Sequence, residues 1–266
     1  MQVTELTFGV EFEVTIPNRV AIGREVPGHA GWIAKGDCSI IPTAGYRGVE
    51  IVSPVLKGVD GINEVVAICQ WLESVGAKVN ATTGFHCHVG FDRNDEKGLK
   101  RLIASVTNHE KAIFAVAGNK GRENNQYCQS TRNYSGAKQI FENQPAPYLD
   151  RYQVLNLTNL INGHRPTVEF RAFAGTTNAT KAIGFIRICL GLVEKATTET
   201  VGRRFAREYP KGMTGEKAVN RLADYLGWSG TKPVVYGNLE TDRTPRMAAT
   251  TAELVRLARK YDQSAA

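Results

Sequence analysis

Three stretches of the chain set ionisable side chains two residues apart: Glu11 and Glu13, His86 and His88, Glu169 and Arg171. In an extended strand this spacing puts both side chains on one face, roughly 7 Å apart along the backbone. The residues between and around them are apolar: Phe8, Val10, Phe12, Val14 and Ile16; Phe85, Cys87, Val89 and Phe91; Val168, Phe170 and Ala172. Each strand therefore has a core face and a charged face. Glu50 lies among Val49, Ile51 and Val52, where a charge is costly unless paired; Arg47 and Arg93 are candidate partners. For one strand taken alone, solvent is the better account of the charged face. Three such strands in one sheet would instead gather several carboxylates, imidazoles and a guanidinium. Clustered carboxylates raise one another's pKa, and a divalent cation removes the repulsion. Oxygen-rich ligation with one imidazole suits Mg²⁺ or Mn²⁺ better than zinc or copper. Magnesium in turn points to phosphate chemistry, with Arg171 placed to hold a phosphoryl group by charge-assisted hydrogen bonds.

Other chemistries find little support. The sequence has no G-x-x-x-x-G-K-[ST] and no G-x-G-x-x-G after a strand, so a nucleotide would bind through metals and basic side chains. His109-Glu110 is not followed by a second histidine three residues on, which excludes the zincin pattern. The five cysteines are odd in number and none forms a C-x-x-C pair, against both a disulfide framework and structural zinc. Cys38 and Cys87 read as small residues rather than nucleophiles. No apolar run approaches the roughly 18 residues of a membrane span; together with the absence of a leader-like start, this predicts a cytoplasmic protein. With 33 basic and 26 acidic residues the formal charge is +7, which favours anionic partners and leaves nucleic acid open.

The elements that must position these groups follow from periodicity. Strands are expected over 7–16, 48–53, 85–91 and 166–173. A helix is expected from about Gly61, with Asp60 as N-cap and Gly76 at its C-terminal stop. Others are expected from Glu96 to Ala117 and from Asn178 to Thr200, with two weaker ones near 215–227 and 250–261. Residues 118–147 read as a long polar loop, of the kind that is usually functional or disordered. The fold class is α+β, with residues 1–209 as one catalytic domain and 210–266 as a helical extension packed on it.

The same residues resemble the glutamine synthetase-like carboxylate–amine ligases, and most closely the amidoligase family. The resemblance runs from about Phe8 to Val193. It rests on Phe8-Gly9-Val10-Glu11-Phe12-Glu13, Asp37-Cys38-Ser39, Gly48-Val49-Glu50-Ile51-Val52-Ser53-Pro54, Gly84-Phe85-His86-Cys87-His88-Val89, Asn156-Leu157 and Thr167-Val168-Glu169-Phe170-Arg171. It implies a curved, mostly antiparallel sheet with helices on its apolar face and two Mg²⁺ (or Mn²⁺) ions with ATP on its polar face. Glu11, His86 and Glu169 would hold the ion nearer the nucleotide, and Glu13 with Glu50 the other. Asp37 is a candidate third carboxylate for that second ion. His88 would contact phosphate, and Arg171 would neutralise the γ-phosphate; Arg171, Glu13 and Glu50 count as catalytic. Arg122 and Arg132 are picked from the long loop as further nucleotide contacts. Tyr127 and Tyr134 are weaker candidates for stacking on adenine, and Asn156 and Asn159 for lining the substrate pocket. The implied reaction is ATP-dependent amide or isopeptide formation through an acyl phosphate, from an unidentified acid and amine. The rivals are a small-molecule kinase without ligation and a non-catalytic nucleic-acid-binding protein. An oligomer is open.

Overall fold

The computed structural model describes residues 5–132, 135–144, 149–204, 208–228 and 247–264. Tyr134 lies outside them. The strands are β1 (Thr7–Pro17), β2 (Ile33–Lys35), β3 (Tyr46–Val52), β4 (Leu56–Lys57), β5 (Gly84–Gly90), β6 (Leu155–Asn156) and β7 (Thr167–Ala174). They form one sheet in the order β2-β3-β1-β5-β7-β6, with β4 beside the start of β1. Every pairing is antiparallel. The architecture is therefore α+β with an open antiparallel sheet: the class agrees with the element pattern, and the antiparallel pairing with what the resemblance implies.

Alternation decides which face is buried. Phe8, Val10, Phe12, Val14 and Ile16 of β1 and Phe85, Cys87 and Val89 of β5 are almost wholly shielded from solvent. Helices lie on this side of the sheet, some against the strands and some against other helices. They are α1 (Gly58–Ser74), α2 (Glu96–Ala115), α5 (Ala179–Thr198), α6 (Gly215–Leu226) and α7 (Met247–Gln263), with the shorter α3 (Ser135–Phe141) and α4 (Thr158–Ile161) between. Phe185 of α5 stacks on Phe173 of β7 at 4.5 Å, and Phe12 meets Phe85 edge-on at 4.9 Å. Such pairs add about 1 kcal/mol each beyond the area they bury. Helix α5 packs on α1 and α2, and α6 and α7 pack on one another and on α2 and α5. Among the described residues no helix is long and apolar enough to cross a membrane.

Three local expectations need correction. Helix α1 begins at Gly58 with Lys57 in the N-cap position and no side-chain cap. The pairing of Leu56 with Phe8 delivers the chain into the helix early, so Asp60 sits in the first turn, where it favours the helix dipole. The stop at Gly76 is as expected: φ is +76° and Ala77 N–H donates to Leu72 O at 2.9 Å, closing the helix end. Second, residues 118–147 are not a structureless loop. They contain a 3-10 turn at Lys120–Arg122 and helix α3, which packs on α2 and buries Ala137. Third, β7 does not alternate to its end. The β5–β7 register shifts between Phe85 and Cys87, a bulge that turns Phe173 into the core beside Ala172.

Candidate active site

The register assembles the charged face. Glu13 stands opposite Glu50, Glu11 opposite His86, and His88 opposite Glu169. Residues from distant parts of the chain thus form a belt across β3, β1, β5 and β7. His86 is central: its Nδ1 is 3.1 Å from Glu11 Oε2 and 3.7 Å from Glu169 Oε1, and its Nε2 is 3.5 Å from Glu13 Oε1. His88 Nε2 lies 3.3 Å from Glu11 Oε1 and 3.8 Å from Glu169 Oε1.

Rigid donors hold two of the acids. Gly84 N–H donates to Glu13 Oε2 at 2.5 Å. A side chain at Gly84 would crowd this site, since a Cβ there would stand 3.1 Å from both Glu13 Oε2 and His86 Nε2. Asn156 Nδ2 donates to Glu169 Oε2 at 2.6 Å, while its own Oδ1 accepts from Thr158 N–H at 2.9 Å. Arg171 pairs with the other oxygen of Glu169. Arg122 serves the bulge of β7. Its Nη2 donates to Arg171 O at 2.8 Å and its Nε to Ala172 O at 3.2 Å, satisfying carbonyls that the shifted register takes off the ladder.

The electrostatics are those of a crowded acidic site. Burial works to raise the Glu11 carboxyl, but His86 and His88 outweigh it and hold the group far below the usual carboxylate range. Glu169 is likewise lowered, with burial opposed by His88, Arg171 and His86. His88 is raised: burial pushes it down, and Glu11 and Glu169 more than compensate. Glu50 goes the other way. Burial, then the charge of Glu11, pushes it up to about 7, with Lys35 at 3.7 Å offsetting only part.

A divalent cation fits this donor set. Three groups each offer ligand atoms within 4.8 Å of one another: Glu11, His88 and Glu169; Glu11, Glu50 and His86; Glu13, Asp37 and Glu50. His88 Nε2 is buried with no hydrogen-bond partner, although two carboxylate oxygens lie close to it. The geometry groups His88 with Glu11 and Glu169, and His86 with Glu11 and Glu50; His86 Nδ1, the imidazole that the resemblance implies, also lies near both Glu11 and Glu169. The same geometry brings Asp37 to Glu13 and Glu50.

Two cavities meet the belt. One, of about 280 Å³, is lined by Phe8, Gly9, Val10, Ser53, Pro54 and Arg165 and reaches Glu11 and His88. The other, of about 360 Å³, includes Glu13, Glu50, His86 and Arg171 in its lining.

Several sequence assignments move. Arg132 does not approach the cluster. Glu110 accepts hydrogen bonds from Ser130 Oγ at 2.5 Å and Thr131 N–H at 2.7 Å, turning the chain toward α2. There Arg132 Nη2 donates to Thr107 O at 2.6 Å and its guanidinium covers the Tyr209 ring at 3.9 Å. Tyr127 lines the larger cavity, not the apolar one, and its carbonyl accepts from Arg171 Nε at 3.5 Å. The carbonyl of Asn159 accepts from Arg165 N–H at 3.2 Å. Glu50 pairs with Lys35, whereas Arg47 bonds the carbonyls of Pro17, Asn18 and Val20. Sequence reasoning missed Lys35, Gly84, Arg151 and Tyr152. Strand parity could have found Gly84, which shares the face of His86 and His88. Nothing local marks Arg151 or Tyr152.

Comparison with known proteins bears on the same segment. Residues 30–150 match the model of a family described as "Putative amidoligase enzyme". The match supports an amidoligase relationship. It spans β2 to α3 and so includes Asp37, Glu50, His86 and His88, while Glu11, Glu13, Glu169 and Arg171 lie outside it and join them through the sheet. A crystal structure of a bifunctional glutathione synthetase from Pasteurella multocida aligns with 98% of this chain at 12% identity and a TM-score of 0.45; the chain spans 52% of that protein's length. No curated protein sequence matches.

Proposed function

We propose that the protein is an ATP-dependent carboxylate–amine ligase that forms an amide or isopeptide bond through an acyl phosphate. The observation that carries this reading is the convergence of Glu11, Glu13, Glu50, His86, His88 and Glu169 from separate strands onto one partly buried belt. The amidoligase match supports it. Glu11, His88 and Glu169 would hold one divalent cation, and Glu13, Asp37 and Glu50 another, with His86 between them. When bound, such ions screen phosphate charge and orient the attack.

The chain's own groups divide the remaining work. The apolar cavity beside Phe8 and Pro54 takes the nucleotide base and sugar, so that the phosphates reach Glu11 and His88. Arg171, held by Glu169, offers its guanidinium to the γ-phosphate. The acid lies in the larger cavity. Its carboxylate oxygen attacks the γ-phosphorus and ADP leaves; the amine nitrogen then attacks the acyl carbon, and inorganic phosphate leaves as the amine gives up a proton. The protein supplies chiefly orientation and charge.

The test is ADP release from Mg-ATP with arrays of acids and amines, with products identified by mass spectrometry. Release should require both an acid and an amine and should disappear in Glu11→Ala and Glu169→Ala. ADP release indifferent to every amine would indicate a kinase, and failure to bind Mg-ATP at all would end the ligase reading.

A further inference from the structure

The larger cavity has a distinctive lining. It carries three carboxyl groups (Glu13, Asp37 and Glu50), three guanidinium groups (Arg122, Arg151 and Arg171) and no aliphatic side chain. The acids belong to the candidate cation positions. Arg122 is engaged by backbone carbonyls and Arg171 by Glu169. Arg151 is different. It is exposed, and its Cζ stands 5.4 Å from the centre of the Tyr152 ring. Among the described residues, no carboxylate comes within ion-pair distance of it. Arg171 Cζ stands 5.9 Å from the same ring, and Tyr127 meets that ring edge-on at 5.3 Å. Two guanidinium groups, Arg171 at the reaction centre and the exposed Arg151, thus lie near the one Tyr152 ring.

Resting on the ligase reading, we propose that the acid taken here is a small dianion. One carboxylate reacts beside Arg171, and a second anionic group is held by Arg151 alongside the Tyr152 ring. The charge balance supports this. One divalent cation on Glu13, Asp37 and Glu50 would cancel two of their three negative charges, and the three guanidinium groups would then leave the lining with an excess of two positive charges. The lining has no aliphatic side chain and its apolar surface is chiefly that of the Tyr127 and Tyr152 rings, so an aliphatic tail would find little to bury against. A guanidinium pairs with a carboxylate through two parallel hydrogen bonds, and its planar face suits an aromatic ring. Solvation is the ordinary fate of an exposed arginine; the second cation on the same ring inside the same cavity is what sets Arg151 apart.

Cys38 provides a readout independent of turnover. It lines this cavity and is exposed, while Cys69, Cys87, Cys128 and Cys189 are buried. Alkylation of Cys38 by iodoacetamide would be followed in Mg²⁺ with succinate, glutarate or adipate, each against its ω-monoamide. At least one dianion should slow labelling at a concentration tenfold or more below that of its monoamide. Arg151→Gln should raise that concentration at least tenfold. Equal protection by the monoamides, no protection by any dianion, or an unchanged concentration in Arg151→Gln would overturn the proposal. The two readings fail separately. ADP release driven by monocarboxylates without dianion protection sinks only the dianion; protection without any amine-dependent ADP release sinks only the ligase.

Discussion

Glu50→Gln should stabilise the cation-free protein above neutral pH. Without a bound cation Glu50 is the misfit of the cluster, its carboxyl pushed from an ordinary 4.5 to about 7, first by burial and then by Glu11. That displacement corresponds to roughly 3 kcal/mol at full strength. The side chain keeps 18% of its surface and lies near Lys35, so solvent and that partner reduce the figure to about 1–2 kcal/mol. The sign follows from proton counting. Below pH 4.5 both folded and unfolded chains hold the proton, and Gln gains nothing. Between 4.5 and 7 the folded chain holds it and the unfolded chain does not, so the wild type loses stability as pH rises. Above 7 the full penalty is present and the Gln variant escapes it. Urea unfolding in EDTA at pH 4.5 and pH 8 measures this. Mg²⁺ should then favour the wild type, whose intact ligand set gains about 2.7 kcal/mol at a hundred times its Kd. Glu169→Gln makes the contrast, since it leaves buried Arg171 short of its partner and should cost about 3 kcal/mol or more. A destabilised Glu50→Gln at pH 8 without metal would refute the reasoning, as would an advantage undiminished at pH 4.5.

Two other perturbations probe separate parts of the structure. Gly84→Ala keeps an extended backbone but places its Cβ 3.1 Å from two cluster atoms and 3.3 Å from Arg122 Nη2; Mn²⁺ affinity should fall about tenfold while stability changes by less than about 2 kcal/mol, and an affinity within twofold of wild type would remove Gly84 from the site. Burial pushes His109 down to about 4 as it stacks on Tyr225 at 4.7 Å. Its contribution is complete above pH 6.5 and is lost as pH falls toward 4, by roughly 3 kcal/mol; His109→Phe should flatten that acid slope in urea titrations, and an unchanged slope would contradict the buried neutral imidazole.

Period-two alternation made the strands and their charged faces legible, because a strand has only two faces and one had to be core. The gaps fall where spacing carries no information. The bulge that turns Phe173 inward leaves no mark in Arg171-Ala172-Phe173; it is set by pairing with β5 and by the Arg122 guanidinium. Strand β2 has only three residues, too few for a pattern, so Lys35 could not be matched to Glu50. Helix α3 is hidden in a polar stretch because it buries little of itself. Arg132 points away because Glu110, on the far side of α2, captures Ser130 and Thr131. A loop arginine's direction depends on such tertiary contacts, which no local spacing records.

The belt tolerates its like charges through an unequal use of carboxylate oxygens. Glu13 gives Oε2 to the Gly84 amide and keeps Oε1 toward His86. Glu169 gives Oε2 to Asn156 and keeps Oε1 toward Arg171 and the imidazoles. In each case a donor fixed by backbone or a turn anchors one oxygen and leaves the other aimed inward. A ligand set arranged this way loses little side-chain freedom when a cation arrives. The residual repulsion collects on Glu50, whose carboxyl accepts no such anchor among the described residues. Occupancy and stability are thereby linked at one residue: the group that most disfavours the empty site is the one a second cation would most relieve.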